Sequence, residues 1–353
     1  MTTVAVVGAA GFTGGEVCRL LLGHPRVDRI LAVTNEAEVE ATHPGLRAPN
    51  LHSVPVDEAL APGRSQFAFL CTPQGTAMRL GPGLREAGIP FVDLSPDLRF
   101  ESADAYAAAY GQPHVSPELL PATYGLPEFN GAQVAESTVV ANPGCFTAAL
   151  LLALVPLLRS GVVASADPLS VFAVNGTTGA NIRSSHLAHP RAFGNVLPYD
   201  LDGHRHVPEI AQGLRTFAGA DGATIDMSTM HGDFARGICA IISASPATAE
   251  ATARDDAVAV LDMQYRASPF VDVVLGGDTK GPNAKDYRRY AQLAATRGTN
   301  RCQLSVDFDR FTNRLKIVSV IDNLGKGAAG NAIQNFNLMM GFAETAGLRL
   351  FAS

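Results

Sequence analysis

Three spaced glycines near the N-terminus stand between a strand pattern and a helix pattern. The β-branched run from Thr3 to Val7 predicts a buried strand, and apolar residues recur at helical spacing from Glu16 to Leu22. Between them lie Gly8, Gly11 and Gly14. At a strand-to-helix turn, such glycines permit the bend, let backbone approach a pyrophosphate and let the helix pack closely on the strand. Because a helix N-terminus also attracts phosphate, the stretch predicts a dinucleotide site.

The end of the second predicted strand bears on which dinucleotide is bound. This strand, residues 29–34, ends about twenty residues after Gly14, where NAD sites usually carry Asp or Glu for the ribose diol. Here it ends in Thr34 and Asn35, neutral residues that can hydrogen-bond a 2′-phosphate. The pattern therefore favours NADP, although Glu36 follows and no arginine stands at the tip of the strand.

Strand and helix patterns continue to alternate along residues 66–94. Such alternation predicts a doubly wound parallel sheet, in which ligands gather at the carboxyl ends of the strands. Thr72, Pro73 and Ser95 follow predicted strands at that edge, so they join the cofactor candidates.

A second turn, Asn142-Pro143-Gly144-Cys145, joins a strand pattern to an apolar helix pattern. Residues 137–141 precede it and the apolar run 148–158 follows it, so Cys145 should stand at the first helical turn. Unpaired backbone N–H groups and the positive end of the helix dipole favour a thiolate there, which is a nucleophile near neutral pH. The alternative is that Cys145 is a small core residue, as most reduced cysteines are. Just upstream, we interpret residues 126–128 as a loop that returns to the sheet.

The pattern changes in the second half of the chain. Strand patterns dominate, with one clear helix at about residues 247–266, which predicts a mixed α+β domain with mostly antiparallel strands. A glycine-rich helix start at 322–330 then returns the chain to the first domain. We therefore predict an NADP-binding domain of residues 1–147, completed by 323–353, and a catalytic and dimerisation domain of residues 148–322.

Two polar clusters lie in this second domain. One runs from Gly176 to Gly179 and continues to Arg183, Ser185 and His189, and the other is Gly203-His204-Arg205-His206-Val207-Pro208-Glu209. The histidine spacings permit a metal site, but no nearby Cys or Asp completes one, so we expect no metal. We favour a histidine that serves the thiol as a base, since Cys/His catalysis requires adjacency in space and not in sequence.

Composition excludes several other classes of function. The 353 residues carry a net charge of −6 and no dense Lys/Arg cluster, which argues against nucleic-acid binding. The longest apolar run is too short to span a bilayer, so we expect no membrane partner. The five cysteines are widely spaced, without zinc-ligand spacing or a disulfide framework, which favours a reducing cytoplasm.

The nucleotide turn, the cysteine and the histidines together predict one chemistry. A thiolate attacks an acyl carbon to make a thioester, and hydride passes between that carbon and a nicotinamide. The reaction type is the interconversion of an acyl phosphate and an aldehyde.

Several segments in a fixed order also carry a family resemblance: Val7–Glu16, Val92–Arg99, Asn142–Cys145, Gly203–Ile210 and Ile321–Gly330. Through them the chain resembles, nearly end to end, the N-acetyl-γ-glutamyl-phosphate reductase family, relatives of aspartate-semialdehyde dehydrogenase. The resemblance implies a Rossmann-type domain, an α+β domain and a homodimer or homotetramer. It also implies an NADPH-dependent reduction of an N-acylated γ-acyl phosphate to its semialdehyde, with release of phosphate.

By this resemblance Cys145 is the nucleophile and His206 is the acid/base, with His204 the other candidate. With the strand-end candidates, the expected NADP(H) residues are Gly8, Gly11, Phe12, Thr13, Gly14, Thr34, Thr72, Pro73, Ser95, Gly179, Asn323 and Gly330. The expected substrate residues are Arg99, Asn142, Arg183, Ser185, His189 and Arg205. Guanidinium groups match phosphate and carboxylate, and Asn142 would help to hold the oxyanion.

Departures from the family pattern leave the substrate open. Phe146 and Thr147 follow the cysteine where Tyr-Pro is frequent, and Thr34-Asn35 replaces the usual serine–arginine pair. Residues 184–190 resemble lysine-pathway homologues, which reduce an aminoadipyl phosphate one methylene longer on a small acidic carrier protein. One methylene is worth only ~1–3 kcal/mol in a pocket, so both substrates stay candidates. Further alternatives are an aspartate-semialdehyde dehydrogenase, a non-catalytic NADP-binding sensor and a metal-dependent hydrolase.

Overall fold

The computed structural model describes residues 2–34, 39–164, 167–180, 182, 189–247, 252–275 and 287–352. The chain divides into two compact units, which are described separately below. Unit 1 comprises Met1–Gly144, Asn181–Arg183 and Gly327–Arg349, and unit 2 comprises Cys145–Ala180, Ser184–Lys326 and Leu350–Ser353. The domain boundaries drawn from the sequence stay a prediction.

Strands and helices of the described residues are numbered in chain order. The strands are β1 (Thr3–Val7), β2 (Arg29–Val33), β3 (Leu51–Ser53), β4 (Phe67–Leu70), β5 (Phe91–Asp93), β6 (Thr123–Tyr124), β7 (Val139–Ala141), β8 (Leu169–Asn175), β9 (Leu197–Tyr199), β10 (Ile225–His231), β11 (Ile238–Ala244), β12 (Val271–Val274), β13 (Cys302–Asp309) and β14 (Arg314–Ile321). The helices are α1 (Phe12–Leu22), α2 (Val56–Ala59), α3 (Ala77–Glu86), α4 (Ala103–Tyr110), α5 (Pro127–Ala135), α6 (Cys145–Arg159), α7 (His189–Ala192), α8 (Val207–Ala218), α9 (Ala253–Tyr265) and α10 (Gly330–Met339).

Unit 1 is built on a parallel sheet, which confirms the doubly wound domain predicted from the sequence. Its strands lie in the order β3-β2-β1-β4-β5-β7-β6, and every pair among them is parallel. Parallel strands require long crossover connections, which cover both faces of the sheet with helices. This explains why the strands are apolar without alternation.

Both faces of this sheet are buried. Val6 packs into one apolar core and Val7 into another, because successive side chains of a strand point to opposite faces. Helix α10 contributes Phe336 to the first core, where its ring centroid lies 4.7 Å from that of Phe67. The late helix α10 therefore completes unit 1, as the glycine-rich helix start predicts.

Unit 2 carries a mixed sheet. Across the described residues its strands lie in the order β12-β13-β14-β11-β8-β10-β9. Antiparallel pairs predominate, as predicted, but β8 pairs with β10 and β12 pairs with β13 in parallel. The mixed α+β architecture of this unit is thus confirmed.

Helix α6 forms the buried centre of unit 2. It begins at Cys145, and the residues from Phe146 to Leu158 are all buried. A helix that is apolar on every side must be surrounded by other elements. Here Ser319 of β14 donates a hydrogen bond to the carbonyl oxygen of Ala149 at 2.7 Å. This bond ties Ala149, about one helical turn after Cys145, to strand β14.

The structure corrects some local predictions. Pro127 opens helix α5 where the sequence suggested a loop, because a residue without an N–H fits the first helical turn. The sequence does not predict strands β9 and β10, because Pro198 lies within β9 and because Asp226 and Ser228 interrupt the apolar pattern of β10. Helix α8, with Pro208 in its first turn, begins where the histidine cluster ends.

We expect the Gly8→Ala variant to be much less stable than the wild type. Gly8 has φ +87°, and a Cβ there would lie 2.2 Å from the carbonyl oxygen of Cys71. Gly63→Ala is the matched control, because Gly63 has φ +76° with nothing within 4 Å of the added Cβ among the described residues. The control should lose ~1–2 kcal/mol through backbone strain alone. Gly8→Ala should lose at least ~2 kcal/mol more through the contact, measured as the shift in thermal unfolding. Equal losses would contradict the geometry of the turn.

Candidate functional site

The turn after β1 is shaped so that only glycine fits at two positions. A Cβ on Gly8 would meet the carbonyl oxygen of Cys71, and a Cβ on Gly14 would lie 2.2 Å from the carbonyl oxygen of Gly8. Gly11, in contrast, has its nearest such neighbour at 3.5 Å and forms the N-cap of α1 without a side chain. No side chain caps the first backbone N–H groups of α1, so these groups can donate to an anion. The turn therefore fits the pyrophosphate of a dinucleotide.

The side chain of His43 contacts this turn from another segment of the chain, and the sequence does not indicate it. Its Nε2 lies 3.1 Å from the carbonyl oxygen of Ala10 and 3.2 Å from that of Gly11. A Cβ on Gly15 would lie 2.4 Å from the same nitrogen. The imidazole thus fixes the turn from outside, and no local pattern links two segments 32 residues apart.

The other nucleotide candidates of unit 1 share the carboxyl edge of the sheet. The last residues of β2, β1, β4 and β5 pair with one another in a single row. Loops that follow these strands are therefore brought to one edge, where ligands of such sheets bind. This edge carries Phe12 and Thr13 after β1, Thr34 after β2, Thr72 and Pro73 after β4, and Ser95 after β5. Gly330 belongs to the same unit as the first residue of α10.

Buried carboxylates organise this edge. Asp97 accepts hydrogen bonds from the backbone N–H groups of Gly75 at 2.8 Å and Met78 at 3.1 Å, and so holds the loop after β4. Asp93, the last residue of β5, is fully buried, and burial raises its pKa to about 7. Its oxygens accept from backbone N–H groups of the following loop. These carboxylates therefore shape the loops around a nucleotide site.

Arg99 and Asn142, expected at the substrate, bond within unit 1. Arg99 donates from Nε to the carbonyl oxygen of Asn142 at 2.9 Å and from Nη2 to that of Leu94 at 2.9 Å. The side-chain oxygen of Asn142 accepts from Asn331 and Asn335. The side chains of Arg99 and Asn142 thus form hydrogen bonds with other residues of unit 1.

The cysteine segment and the histidine pair meet within unit 2. Cys145 is partly buried at the first position of α6. The ring of the next residue, Phe146, lies 5.1 Å from the ring of His204 and 6.0 Å from that of His206. The two imidazoles are 4.9 Å apart. The residue that follows the candidate nucleophile therefore packs against both buried imidazoles at the start of α6.

His204 and His206 differ in their electrostatic state. The Nδ1 of His204 accepts a hydrogen bond from the backbone N–H of His206 at 3.1 Å, so its ring proton belongs on Nε2. Burial lowers the pKa of His204 to about 4. At neutral pH His204 is therefore an uncharged donor, and it is poorly suited to gain a second proton.

Tyr199, His231 and Asn175 join the cluster without having been indicated by the sequence. The ring of Tyr199 stacks on that of His231 at 4.2 Å and 10°, and its hydroxyl donates to Oδ1 of Asn175 at 3.1 Å. The pKa of Tyr199 is raised, mainly by burial and then by the charge of Cys145. Asn175 and His231 end the parallel strands β8 and β10 in paired positions. This pairing is the signal that connects the two residues, but the sequence pattern of β10 does not indicate a strand.

The turn from Gly176 to Gly179 is held by Asn323. Asn323 donates from Nδ2 to Oγ1 of Thr178 at 3.1 Å and accepts from the backbone N–H of Gly237 at 2.6 Å. A Cβ on Gly179 would lie 2.3 Å from Nδ2 of Asn175, so this position needs glycine. The two nucleotide candidates of unit 2, Gly179 in the turn and Asn323 beside it, are thus neighbours.

The remaining substrate candidates are exposed or undescribed. Arg183 and Ser185 lie outside the described residues. His189 is exposed at the start of α7, where its ring stacks on that of Phe193 at 5.4 Å. Arg205 is exposed between the two buried histidines.

In the part of the chain that the structure describes, no group of His, Cys, Asp and Glu side chains is arranged to hold a metal ion. None of the described helices combines the length and the apolar character needed to cross a bilayer.

Comparison with known proteins covers almost all of the chain. Family models described as semialdehyde dehydrogenase, NAD binding domain, and semialdehyde dehydrogenase, dimerisation domain, match residues 3–137 and 145–323. A relative from Geobacillus stearothermophilus is 36% identical over 360 residues, and one from Salinispora tropica is 37% identical over 356. Each alignment covers 99% of this chain and 98% of the relative, and both relatives are named N-acetyl-gamma-glutamyl-phosphate reductase.

Solved structures share the fold at low identity. Aspartate semialdehyde dehydrogenase II from Vibrio cholerae aligns with a TM-score of 0.70 at 16% identity, covering 97% of this chain and 98% of that one. The aspartate semialdehyde dehydrogenase of Candida albicans, solved with NADP, aligns with a TM-score of 0.67 at 14% identity, covering 96% and 98%.

The fold and the glycine turn define a class of protein, the NAD(P)-dependent oxidoreductases of semialdehyde dehydrogenase architecture. Sequence identity over nearly the whole chain is more specific, and by it the chain belongs to the N-acetyl-γ-glutamyl-phosphate reductase family. The resemblance, the enzyme class and the NAD(P) cofactor predicted from the sequence are thereby confirmed.

We expect His204 to titrate near pH 4 instead of its ordinary 6.5. The unfolded state then binds more protons between these values, so the stability due to neutral His204 is complete above pH 6.5 and is lost as the pH falls towards 4. His204→Asn keeps an oxygen that can accept the N–H of His206 but removes the titration. The variant should therefore lose less thermal stability than the wild type over this range. NMR titration, with the resonance missing in His204→Asn as the assignment, measures the pKa directly, and a midpoint at 6.5 would refute the burial argument.

Proposed function

We propose that the chain reduces N-acetyl-γ-glutamyl phosphate to N-acetylglutamate semialdehyde, using NADPH and releasing phosphate. The observation that carries this proposal is the position of Cys145 at the start of α6, directly before Phe146, whose ring contacts both buried imidazoles. A nucleophile beside a histidine is what acyl transfer from an acyl phosphate requires. The names of the relatives support this substrate.

In the proposed mechanism Cys145 is the nucleophile. Its thiolate attacks the acyl carbon, the bond from that carbon to the phosphate oxygen breaks, and phosphate leaves with the electron pair. The product is a thioester on Cys145. When bound, NADPH supplies the hydride that takes the acyl group to the aldehyde level. Release of the aldehyde returns the electron pair to sulfur and restores the thiolate.

We assign the proton transfers to His206. It accepts the thiol proton of Cys145 and gives it to the departing phosphate, so that phosphate leaves as a weaker base. The bound backbone N–H at Nδ1 and the lowered pKa of His204 argue against that histidine in this role. His204 instead offers a neutral Nε2–H as a donor beside the reacting groups.

The proposed cofactor contacts begin at the glycine turn after β1. We propose that Gly8, Gly11, Phe12, Thr13 and Gly14 hold the pyrophosphate and that Thr34 meets the 2′-phosphate of NADP. The remaining positions proposed to contact the cofactor are Thr72, Pro73, Ser95, Gly179, Asn323 and Gly330.

We assign the substrate anions to exposed groups. Arg205 and His189 can reach solvent and can therefore meet a phosphate or carboxylate, whereas Arg99 already bonds two carbonyl oxygens. Arg183 and Ser185 remain proposed substrate contacts from the family resemblance alone. We also propose a cytoplasmic location, since all five cysteines are reduced.

A second candidate substrate is the aminoadipyl phosphate of the lysine pathway, linked to a carrier protein. The segment 184–190 favours it through its resemblance to lysine-pathway homologues. The substrate differs by one methylene, which a pocket distinguishes by only ~1–3 kcal/mol.

The reverse reaction tests the function and the substrate together. Supplied with phosphate and NADP, the enzyme should form NADPH with N-acetylglutamate semialdehyde, followed by absorbance. Carrier-linked and free aminoadipate semialdehydes form the comparison arms, and a higher kcat/KM with either would transfer the assignment to the lysine pathway. No reduction of NADP with any semialdehyde would refute the proposed function.

Variants of the cluster test the assigned roles. Cys145→Ala should abolish turnover but leave NADPH affinity unchanged, because the thiol is not a cofactor ligand in this proposal. His206→Asn should lower kcat by ~10²–10⁴-fold, the usual share of general acid–base catalysis. His204→Asn should cost less than His206→Asn. The reverse order of these two losses would move the acid/base role to His204.

The outer face of the unit 2 sheet supports a homodimer. Phe172 of β8 and Ile241 of β11 are directly paired and remain 46% and 41% exposed, although both strands lie inside the sheet. Val318 of β14 continues the same row beside Ile241. Paired apolar side chains exposed at the middle of a sheet mark an interface. We propose that a second copy of the chain covers this face, since the family model that matches residues 145–323 is described as a dimerisation domain.

Charges on this face should separate the subunits. The double variant Phe172→Glu/Ile241→Glu should be a monomer by light scattering, because two carboxylates per subunit would be buried without partners. Phe311→Glu is the control, since Phe311 is 86% exposed in the turn after β13 and should not affect assembly. A wild-type mass of four chains would indicate a tetramer, and a double variant of unchanged mass would exclude this face as the dimer interface.

A further inference from the structure

Two asparagines of helix α10 bond to the residue that begins the cysteine turn. Asn331 and Asn335 are one helical turn apart, so they project from the same face of α10. Both are fully buried, and Asn142 is 1% exposed. Amide side chains are rarely removed from water so completely, because each unmade hydrogen bond would cost stability. Their bonding pattern therefore needs an explanation.

The pair converges on two acceptors. Asn331 donates from Nδ2 to the carbonyl oxygen of Gly125 at 2.8 Å and to Oδ1 of Asn142 at 2.9 Å. Asn335 donates from Nδ2 to the same two oxygens at 3.0 and 3.1 Å. A Cβ on Gly125 would lie 2.5 Å from Nδ2 of Asn335, so the approach is as close as glycine allows. The two amides thus tie the loop after β6 to the residue after β7.

The backbone of Asn142 is held as firmly as its side chain. Its N–H donates to the carbonyl oxygen of Asp93 at 2.8 Å, and its carbonyl oxygen accepts from Nε of Arg99 at 2.9 Å. Its side-chain Nδ2 makes a longer contact, 3.3 Å, to the carbonyl oxygen of Ala328. The short bonds of the side chain are therefore those that Oδ1 accepts. This favours an anchoring role for Asn142 over the donation to an oxyanion expected from the sequence.

We propose that Asn331 and Asn335 are positioning residues that fix Asn142 and, through Pro143 and Gly144, the point at which Cys145 begins α6. The inference rests on the proposed function, in which Cys145 is the nucleophile. A thiolate must approach the acyl carbon within a few tenths of an ångström of the productive distance, and a displacement of about 1 Å costs ~10²-fold in rate. Covalent continuity transmits any movement of Asn142 along two residues to the cysteine.

Helix α10 offers a matched control for the alternative that these amides only stabilise the fold. Asn337 is also a fully buried asparagine of α10, but it donates to the carbonyl oxygens of Glu344 and Ala346 and its Oδ1 bonds His24. Its bonds hold the turns after the helix and do not reach the cysteine turn. Asn337→Ala therefore reports the cost of losing a buried amide of α10.

The experiment compares Asn331→Ala, Asn335→Ala and Asn337→Ala in the full chain, well below the unfolding temperature of each. Steady-state kinetics should show kcat lowered ~10–100-fold in the first two variants, with KM and NADPH affinity within about twofold of the wild type. Asn337→Ala should keep the wild-type kcat even where it loses as much thermal stability. Hydrogen–deuterium exchange should be faster for the backbone N–H groups of Asn142 and of residues 144–146 in the first two variants only.

The outcomes separate this inference from the proposed function. If kcat and exchange in Asn331→Ala and Asn335→Ala match those of Asn337→Ala, the positioning role is refuted while the reductase activity stands. If the wild type reduces none of the acyl phosphates, the proposed function fails, and exchange at residues 142–146 still decides whether the asparagine pair fixes the turn. A rise in KM without a fall in kcat would also refute positioning, because it would indicate a binding role.

Discussion

The common ending of the parallel strands is the constraint on which unit 1 depends. The last residues of β2, β1, β4, β5 and β7 form one row of paired positions. Backbone hydrogen bonds fix this row, so they also fix where each following loop begins. The glycine turn, the loop held by Asp97 and the residue Asn142 therefore share one edge of the sheet. A slip of one residue in any strand would exchange its two faces and remove its loop from the row.

The two units use buried polar groups in different ways. In unit 1, Asp97 and Arg99 bond mainly to backbone, and their role is to hold loops in shape. In unit 2, the buried polar rings lie against one another, as His204 does against Tyr199 at 5.8 Å. Burial there changes acidity, which is why the pKa of His204 falls while that of Tyr199 rises. Unit 1 also contains a buried carboxyl group of altered acidity, Asp93, whose pKa burial raises to about 7.

Sequence patterns predicted those features of the fold that depend on residues adjacent in the chain. The glycine turn and the position of Cys145 at a helix start follow from residues that are neighbours in the chain, and so does the parallel sheet. The sequence pattern does not indicate His43 or His231 as site residues. His43 contacts the glycine turn, and His231 stacks on Tyr199, only through tertiary contacts. The sequence likewise does not predict that Asn331 and Asn335 are buried, since asparagines within a helix ordinarily indicate a solvated face. The sequence indicates a loop where α5 begins, because a proline that opens a helix is equally common in turns.

The place of helix α10 in unit 1 has a consequence for how the protein is made. Residues 145–326 of unit 2 form one almost continuous stretch, whereas unit 1 needs segments from both sides of it. On the ribosome, the aromatic surface of Phe67 and Phe69 cannot pack against Phe336 until residues 145–326, which separate them, have been synthesised. During that interval the nascent first unit exposes an incomplete apolar core, which makes it a natural client for chaperones.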